Sequence, residues 1–269
     1  MTKRGQGSEH LDHRLKTETS TDGVLRVTID RPAKRNALSR AMLAEIKATF
    51  EAHADDGALK LAILRGAGDK SFAAGGDLRD LQELQTLEDA AGFATDTKRV
   101  FDAIRQFPVP VIAAINGDAL GGGAELSVAC DMRVMAADAR LGFIQGRLNI
   151  ATAWGGGIDL MRLVGPAVGL RLLAGSEMMD AGRAHALGLA DAIAEQDQAI
   201  DAAVDAFVRP FLKQAPQVMR AFKAVALADR LDLPRAEKEK IETEYFAGTW
   251  VHDDHWRAAS KILGGDKSA

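Results

Sequence analysis

Apolar and polar positions along the chain recur in two periods, and each period predicts a different kind of element. Residues 14–18 and 24–29 alternate as strands do and flank a Thr-Asp-Gly turn, which predicts a β-hairpin. Residues 38–54 carry apolar side chains at helical spacing, with Ser39 placed as the N-cap. Residues 59–64 form a short apolar run that is closed by glycines, which predicts a buried strand.

Strands and helices continue to alternate along the first two thirds of the chain. Strands are predicted at 109–115 and 132–136, and helices at 81–106, 121–129 and 158–164. Short strands that alternate with helices indicate an α/β domain with buried sheets. Beyond residue 196 the strand signals stop, and three helical patterns follow at 199–212, 218–230 and 233–247. We therefore predict a disordered leader (1–12), an α/β core (13–195) and a C-terminal helical segment (196–269).

Composition and charge argue against several classes of protein. The chain has 269 residues, 34 Lys plus Arg against 38 Asp plus Glu, and a net charge of −4, which does not suit a phosphate-binding nucleic-acid protein. The longest apolar run, residues 109–115, is too short for a membrane span of about 20 residues. The first residues lack the apolar segment of a secretory signal, and a single cysteine cannot form an internal disulfide. We expect a cytoplasmic protein with neither nucleic-acid nor membrane partners.

Three clusters of glycine indicate a candidate site. They lie within residues 72–77, 116–126 and 154–157, and the first two directly follow predicted strands. None matches the dinucleotide-binding or P-loop spacing. Glycines between a strand and a helix let backbone N–H groups approach a ligand, and two such loops can supply the two donors of an oxyanion hole. On the residues alone, tight connections that need a positive φ explain the clusters equally well.

The order of the motifs resembles the enoyl-CoA hydratase/isomerase (crotonase) superfamily over residues 25–189. The matching pieces are Asp30-Arg31-Pro32 with Asn36-Ala37-Leu38, and the segments 71–78, 109–117, 119–131 and 181–189. The resemblance implies a spiral of ββα units with two nearly perpendicular sheets, followed by C-terminal helices that pack trimers or dimers of trimers. It also implies an acyl-CoA substrate, no separate cofactor or metal, and a thioester enolate stabilised by two backbone N–H groups.

Residue by residue, the resemblance implies specific roles. Ala74 and Gly122 are the expected oxyanion donors, and Glu125 is the expected acid or base. As an alternative, Glu125 only complements the dipole of the helix that it begins. Lys34 and Arg35 align with a loop that contacts the CoA nucleotide, although two solvated cations explain them as well. The other residues expected at the substrate are Ala73, Gly76, Asp77, Leu78, Gly121, Gln145 and Trp154.

One position departs from the two-glutamate pattern of the hydratases. Gln145 stands where the second Glu is expected, and glutamine cannot exchange a proton at neutral pH. The sequence Trp154-Gly155-Gly156 is similar to the ethylmalonyl-/methylmalonyl-CoA decarboxylase branch, which also lacks this Glu. Loss of CO2 makes the same enolate with one proton donor and no water-activating base. We expect decarboxylation of a short branched malonyl-type CoA, with a single-Glu hydratase, or less favourably an isomerase, as the alternative.

Other interpretations of the chain remain open at this stage. An RNA-binding member is disfavoured by the net charge, and an inactive scaffold is disfavoured by the retained glycines and Glu125. His252 and His255 lack a third ligand at a defined spacing, so we expect no metal site there. Apolar stripes on the late helices are expected to be buried between subunits; they comprise Ala203, Phe207, Phe211, Val218 and Phe222.

Overall fold

The structure, a computed structural model, describes residues 15–264. Its strands are β1 (Leu15–Thr19), β2 (Val24–Ile29), β3 (Leu61–Gly66), β4 (Ser71–Ala73), β5 (Val111–Ile115), β6 (Asp118–Leu120), β7 (Met132–Met135), β8 (Arg140–Gly142), β9 (Met178–Asp180) and β10 (Ala192–Ile193). Its helices are α1 (Arg40–His53), α2 (Leu78–Leu81), α3 (Leu87–Arg105), α4 (Gly122–Ala129), α5 (Gly156–Val164), α6 (Pro166–Gly175), α7 (Ala181–Ala186), α8 (Ile200–Val208), α9 (Pro216–Arg230), α10 (Arg235–Trp250) and α11 (Asp253–Gly264).

The ten strands form two sheets, as the α/β prediction requires. The larger sheet has the order β1-β2-β3-β5-β7-β10, and the smaller has the order β4-β6-β8-β9. The predicted hairpin is confirmed, with β1 antiparallel to β2, while the remaining neighbours in the larger sheet run parallel. Parallel strands need cover on both faces, which explains the wholly buried sequence of β5.

Helices cover both faces of the larger sheet. Side chains of α1, α3 and α4 contribute to the main apolar cluster, in which Phe50 and Phe107 meet edge to face with ring centroids 5.1 Å apart. The predicted N-cap of α1 is confirmed, because the Ser39 hydroxyl accepts a hydrogen bond from the Met42 N–H at 3.2 Å. The helix predicted over 81–106 begins later than expected, because α2 ends at Leu81 and Thr86 caps the start of α3.

The apolar stripe that begins on α8 lies against the larger sheet of its own chain. Ala203 is buried, and Phe207 and Phe211 are partly buried, in a second cluster that includes Ile63 and Ile112 of the larger sheet. The expectation that Ala203 is buried between subunits is therefore wrong, because its own sheet covers it, whereas a subunit contact of the partly buried Phe207 and Phe211 stays a prediction. Phe222, on α9, remains 65% exposed.

The described chain ends in helices. Among residues 194–264 every regular element is helical, and α9 and α10 pack against each other. No helix within residues 15–264 combines the length and the apolar composition that crossing a bilayer requires. The leader expected over residues 1–12 lies outside the described part of the chain.

Candidate active site

The smaller sheet brings two of the glycine clusters together. β4 runs parallel to β6, with Ser71 paired to Asp118 and Ala73 paired to Ala119, so both strands end at the same edge. The loops that follow then touch, since a Cβ atom on Gly75 would lie 3.3 Å from the Gly122 nitrogen. The spacing of strand and glycine in the sequence thus corresponds to one shared site at the N-terminus of α4.

Gly76 and Gly122 present free backbone donors in this site. Neither N–H makes a hydrogen bond within residues 15–264. Both residues face the six-membered ring of Trp154, because a Cβ on Gly122 would overlap Cζ3 and a Cβ on Gly76 would lie 3.4 Å from Cη2. Two unpaired N–H groups beside one aromatic wall are suited to bind a single carbonyl oxygen.

The expectation that Ala74 is an oxyanion donor needs correction. Its N–H donates to the carbonyl of Arg35 at 3.1 Å and is therefore already engaged. Ala73 lies in β4, and its carbonyl is so close to α4 that only glycine fits at position 123. Within the described residues, the N–H of Gly76, which the resemblance placed only among the substrate contacts, is free instead.

Glu125 is buried one turn after Gly122. Its side chain is held by three donors, since Oε2 accepts from the N–H groups of Trp154 and Gly156, each at 2.9 Å, and Oε1 accepts from Gln145 Nε2 at 2.9 Å. A Cβ on Gly156 would overlap the Glu125 side chain, so glycine at that position lets the backbone donor approach. The carboxyl group is fixed in one orientation.

The surroundings of Glu125 change its proton affinity. Burial raises the pKa of Glu125, and the hydrogen bonds from Trp154, Gly156 and Gln145 oppose this effect without cancelling it. The pKa therefore lies above the usual range for a glutamate. A carboxyl group of this kind keeps its proton to a higher pH, as a general acid must.

Gln145 occupies the position beside Glu125 where the resemblance implies a second glutamate. It begins a 3-10 turn, Gln145–Leu148, and only 8% of the residue is exposed. Its amide nitrogen is bound to Glu125, whereas its Oε1 is buried and has no hydrogen-bond partner within the described residues. The pair therefore contains one titratable group and one amide, not two acids.

Trp154 forms an apolar wall of the site. Its ring meets Phe93 and Phe101 of α3 edge to face, with centroids 5.8 and 5.7 Å apart. Thr97 lies between these two rings on the same helix face, buried, and its hydroxyl has no partner in the described range. The indole thus packs in the core on one side and against both glycine donors on the other. Sequence reasoning missed the α3 residues, because helical periodicity shows a buried face but not what it covers.

A basic cavity of about 200 Å³ is lined in part by Ala74. It is lined by Arg35, Lys70 and Arg140, of which Arg140 is paired with Asp118. Arg35 and Lys70 have the charge that a phosphate group needs. Lys70 was missed by the sequence analysis. Lys34 is exposed in the 3-10 turn that Arg35 caps, and it does not line this cavity.

Three further expected contacts have structural explanations. Asp77 caps α2 and pairs with the buried Arg31 at 3.0 Å; burial would raise the pKa of Asp77, but the hydrogen bonds from Arg31 and Arg79 lower it overall. Leu78 begins α2 and is 61% exposed. Gly121 has a φ of 56° where β6 turns into α4, a conformation that favours glycine.

The two C-terminal histidines lie apart from this site. His252 is hydrogen-bonded to Gln217 and lies near Asp254, and His255 stacks on Trp250 with centroids 4.7 Å apart. Within residues 15–264 there is no group of three His, Cys, Asp or Glu side chains arranged to hold a metal ion.

Comparison with known proteins agrees with this geometry. The chain is 38% identical to the crotonyl-CoA hydratase of Syntrophomonas wolfei over 87% of its length and 89% of that protein. It is 32% identical to the human mitochondrial methylglutaconyl-CoA hydratase, over 92% and 74% of the two chains. The crystal structure of an enoyl-CoA hydratase from Bacillus anthracis superposes with a TM-score of 0.85 at 26% identity, over 95% and 98%.

A sequence profile described as "Enoyl-CoA hydratase/isomerase" matches residues 19–261, which is most of the chain. Its coverage includes the two glycine loops, Glu125, Gln145 and Trp154. The α/β core with two sheets and the helical C-terminal segment are those of the crotonase fold. The chain belongs to the enoyl-CoA hydratase/isomerase family of acyl-CoA enzymes.

Proposed function

We propose that the protein decarboxylates a short branched malonyl-type CoA ester. The observation that carries this proposal is the composition of the pair beside the free N–H groups, in which Glu125 is a carboxyl group and Gln145 is an amide. Decarboxylation needs an oxyanion hole and one proton donor. It does not need a second acid or a base that activates water.

In this reaction the thioester carbonyl accepts hydrogen bonds from Gly76 and Gly122. The bond between the α-carbon and the carboxylate breaks, CO2 leaves, and the electron pair becomes an enolate whose oxygen is held by the two donors. Each well-placed donor stabilises such a charge by about 3–4 kcal/mol. Glu125 then gives its proton to the α-carbon and is reprotonated from solvent, so that one proton is consumed for each CO2 released.

Hydration is the second candidate, and the names of the relatives favour it. In that reaction ionised Glu125 would accept a proton from a water molecule that also donates to Gln145 Oε1. The hydroxide would add to the β-carbon, and Glu125 would then have to deliver the proton that it took to the α-carbon, since position 145 holds no acid. The two candidates differ in the state of Glu125 that is active.

Product analysis distinguishes the candidates directly. The protein is incubated separately with methylmalonyl-CoA, ethylmalonyl-CoA and crotonyl-CoA, and the products are identified by mass. We expect loss of CO2 from a malonyl-type ester, with slow or undetectable addition of water to crotonyl-CoA. Fast hydration of crotonyl-CoA together with intact malonyl esters would exclude decarboxylation and select the second candidate.

We also propose how the remaining parts of the chain serve this activity. Arg35 and Lys70 bind phosphates of the CoA nucleotide, because both line the basic cavity beside Ala74. The chain assembles as a trimer or a dimer of trimers, because large apolar side chains of α10 and α11 are exposed on the single chain. A cytoplasmic location suits the only cysteine, Cys130, which is buried and unpaired.

A further inference from the structure

The orphaned oxygen of Gln145 is the feature that the proposed reaction leaves unexplained. Gln145 is more than nine-tenths buried, and its Oε1 has no hydrogen-bond partner in the described part of the chain. Leaving a buried acceptor unsatisfied costs about 1–3 kcal/mol. Such an atom beside Glu125 indicates a place where a ligand group is bound.

The orientation of the amide depends on the state of Glu125. An ionised carboxylate only accepts hydrogen bonds, so Gln145 must turn its NH2 group toward Glu125 Oε1, as the structure shows at 2.9 Å. The oxygen of Gln145 then faces away from Glu125. In this orientation the pair offers an acceptor to the ligand, which suits a water or a hydroxyl group and repels a carboxylate.

Protonation of Glu125 reverses this requirement. Two backbone N–H groups, of Trp154 and Gly156, already donate to Oε2, so the proton resides on Oε1, the atom that faces Gln145. That O–H group needs an acceptor. A half-turn of the carboxamide supplies its oxygen to Glu125 and moves the NH2 group to the orphaned position, with almost no change of shape.

We propose that Gln145 couples the proton on Glu125 to recognition of the substrate carboxylate, by turning its amide donor toward that carboxylate only when Glu125 is in the acid form. Binding of a malonyl-type ester then takes up one proton, so Glu125 already carries the proton that it will donate before CO2 leaves. Gln145 is in this sense both a positioning residue for Glu125 and a specificity-determining contact. The inference rests on the proposed acyl-CoA site.

Other ionisable groups on the surrounding elements are engaged elsewhere. Cys130 follows α4, and burial raises the pKa of its thiol to about 12, so it stays neutral. Several charged side chains of these elements form ion pairs that do not include Glu125 or Gln145: Arg105 with Asp102 and Asp159, Arg230 with Asp131 and Asp159, Arg133 with Asp191, Arg140 with Asp118, and Arg171 with Glu177. Arg147 donates to the Ser176 carbonyl. The hydrogen bonds to the Glu125 carboxyl come from Gln145 and two backbone N–H groups.

The test uses two CoA thioethers that cannot react, one ending in a branched carboxylate and the other in the matching carboxamide. Binding of each is measured by calorimetry in two buffers of different ionisation enthalpy, which reports proton uptake. For the wild type we expect up to one proton taken up with the carboxylate ligand and none with the carboxamide. Above the pKa of Glu125, the affinity for the carboxylate ligand should fall by up to tenfold for each pH unit. The affinity for the carboxamide ligand should not change with pH.

Two variants identify the groups that are responsible. Glu125→Gln imitates the acid form, because its NH2 group donates to Gln145, so the carboxylate ligand should bind without proton uptake and without pH dependence. Gln145→Met keeps the size of the side chain, and should weaken carboxylate binding by about 10- to 100-fold, as expected for a lost hydrogen bond to a charged group.

The outcomes separate this inference from the proposed function. Carboxylate binding without proton uptake in the wild type, or uptake that persists in Glu125→Gln, would overturn the coupling. Failure of both ligands to bind would instead remove the proposed acyl-CoA site, and the inference with it.

Discussion

Glycine is required at positions 122 and 156 by the side chains that lie against them. Trp154 occupies the space of a Cβ at Gly122, and Glu125 occupies the space of a Cβ at Gly156. The same two contacts place an indole beside the free N–H of Gly122 and the N–H of Gly156 on the carboxyl group of Glu125. Side-chain size at single positions therefore sets the geometry of the site.

Adding one methyl group at Gly122 tests this packing. Gly122→Ala should displace the indole, because the three atoms nearest to the added carbon all belong to the Trp154 ring. We expect turnover to be nearly lost and the melting temperature to fall. Combining it with Trp154→Leu should restore much of the melting temperature, measured by calorimetry. If the double variant is as unstable as the single one, the overlap with Trp154 is not the cause.

Removing the acid tests the role of Glu125. Glu125→Gln should lower turnover by about 10²–10⁴, the usual contribution of acid–base catalysis, and leave binding of an unreactive neutral CoA thioether unchanged. Steady-state kinetics and calorimetry measure the two quantities. Glu18→Gln, in the exposed strand β1, is the matched control and should behave as the wild type. If Glu125→Gln has wild-type turnover, Glu125 is neither the acid nor the base and only complements the dipole of its helix.

The raised pKa of Glu125 also predicts how stability depends on pH. Burial raises this pKa in the folded state above its value in the unfolded chain, about 4.3, so the folded form binds the proton more tightly. That contribution to the free energy of unfolding is complete below about pH 4 and is lost as the pH rises through the folded pKa. Denaturant titrations of wild type and Glu125→Gln between about pH 4 and pH 8 should therefore differ by a pH-dependent amount. A constant difference would show that the pKa is not raised.

The residues of the site were predictable where one residue type alone can do the chemistry. Glu125 is the candidate of this kind, and the structure buries it in the first turn of α4, which begins at Gly122 with its free N–H. The other donor was not predictable, because Ala74 and Gly76 lie in the same loop and both have an N–H. Only the hydrogen bond from Ala74 to Arg35 decides between them.

At the scale of elements, length determined what the sequence could predict. The hairpin and the helices α1, α3 and α9 have enough residues to show a period. The strands β4 and β6, which carry the site, have three residues each and show no alternation. A hydrophobic stripe also does not name its partner, which is why α8 was assigned to a subunit contact although it covers its own sheet.

A buried ion cluster connects three helices behind the site. Asp159 of α5 pairs with Arg105 of α3 and with Arg230 of α9, each at 2.8 Å, and Arg105 also donates to the Trp154 carbonyl at 3.1 Å. Arg230 reaches the last carbonyls of α4, on Val128 and Ala129. The C-terminal helices are thereby fixed relative to the helix that holds Glu125.

Breaking this cluster should cost stability. Asp159→Asn leaves two arginines without their shared charge, and we expect the free energy of unfolding to fall by about 3 kcal/mol. Denaturant titration measures the change, and a partial loss of turnover should accompany it as Trp154 shifts. Asp229→Asn, the same change in an exposed ion pair with Arg162, should have little effect. Equal effects of the two substitutions would show that burial does not matter here.

At the scale of the whole molecule, the single chain exposes a cluster of large apolar side chains to solvent. Large side chains at the C-terminal end are exposed on α10 and α11 or between them: Tyr245, Phe246, Trp250, Val251, Trp256, Ile262 and Leu263. Trp256 is 49% exposed, and its ring meets Trp250 edge to face at 5.8 Å. Apolar clusters of this kind usually mark contacts between subunits. Because Ala203 of α8 is already covered by its own sheet, we expect an interface mainly through these last two helices.

We therefore expect a trimer, or two stacked trimers, in light scattering at micromolar concentration. Trp256→Glu should give smaller species, because burying a charge in an apolar interface costs desolvation energy that no partner offsets. Arg257→Glu changes the neighbouring, 70% exposed side chain and should leave the assembly intact, since its charge stays in water. A monomeric wild type would show that the α10–α11 surface has another partner. A Trp256→Glu variant that stays trimeric would place the interface elsewhere on the chain.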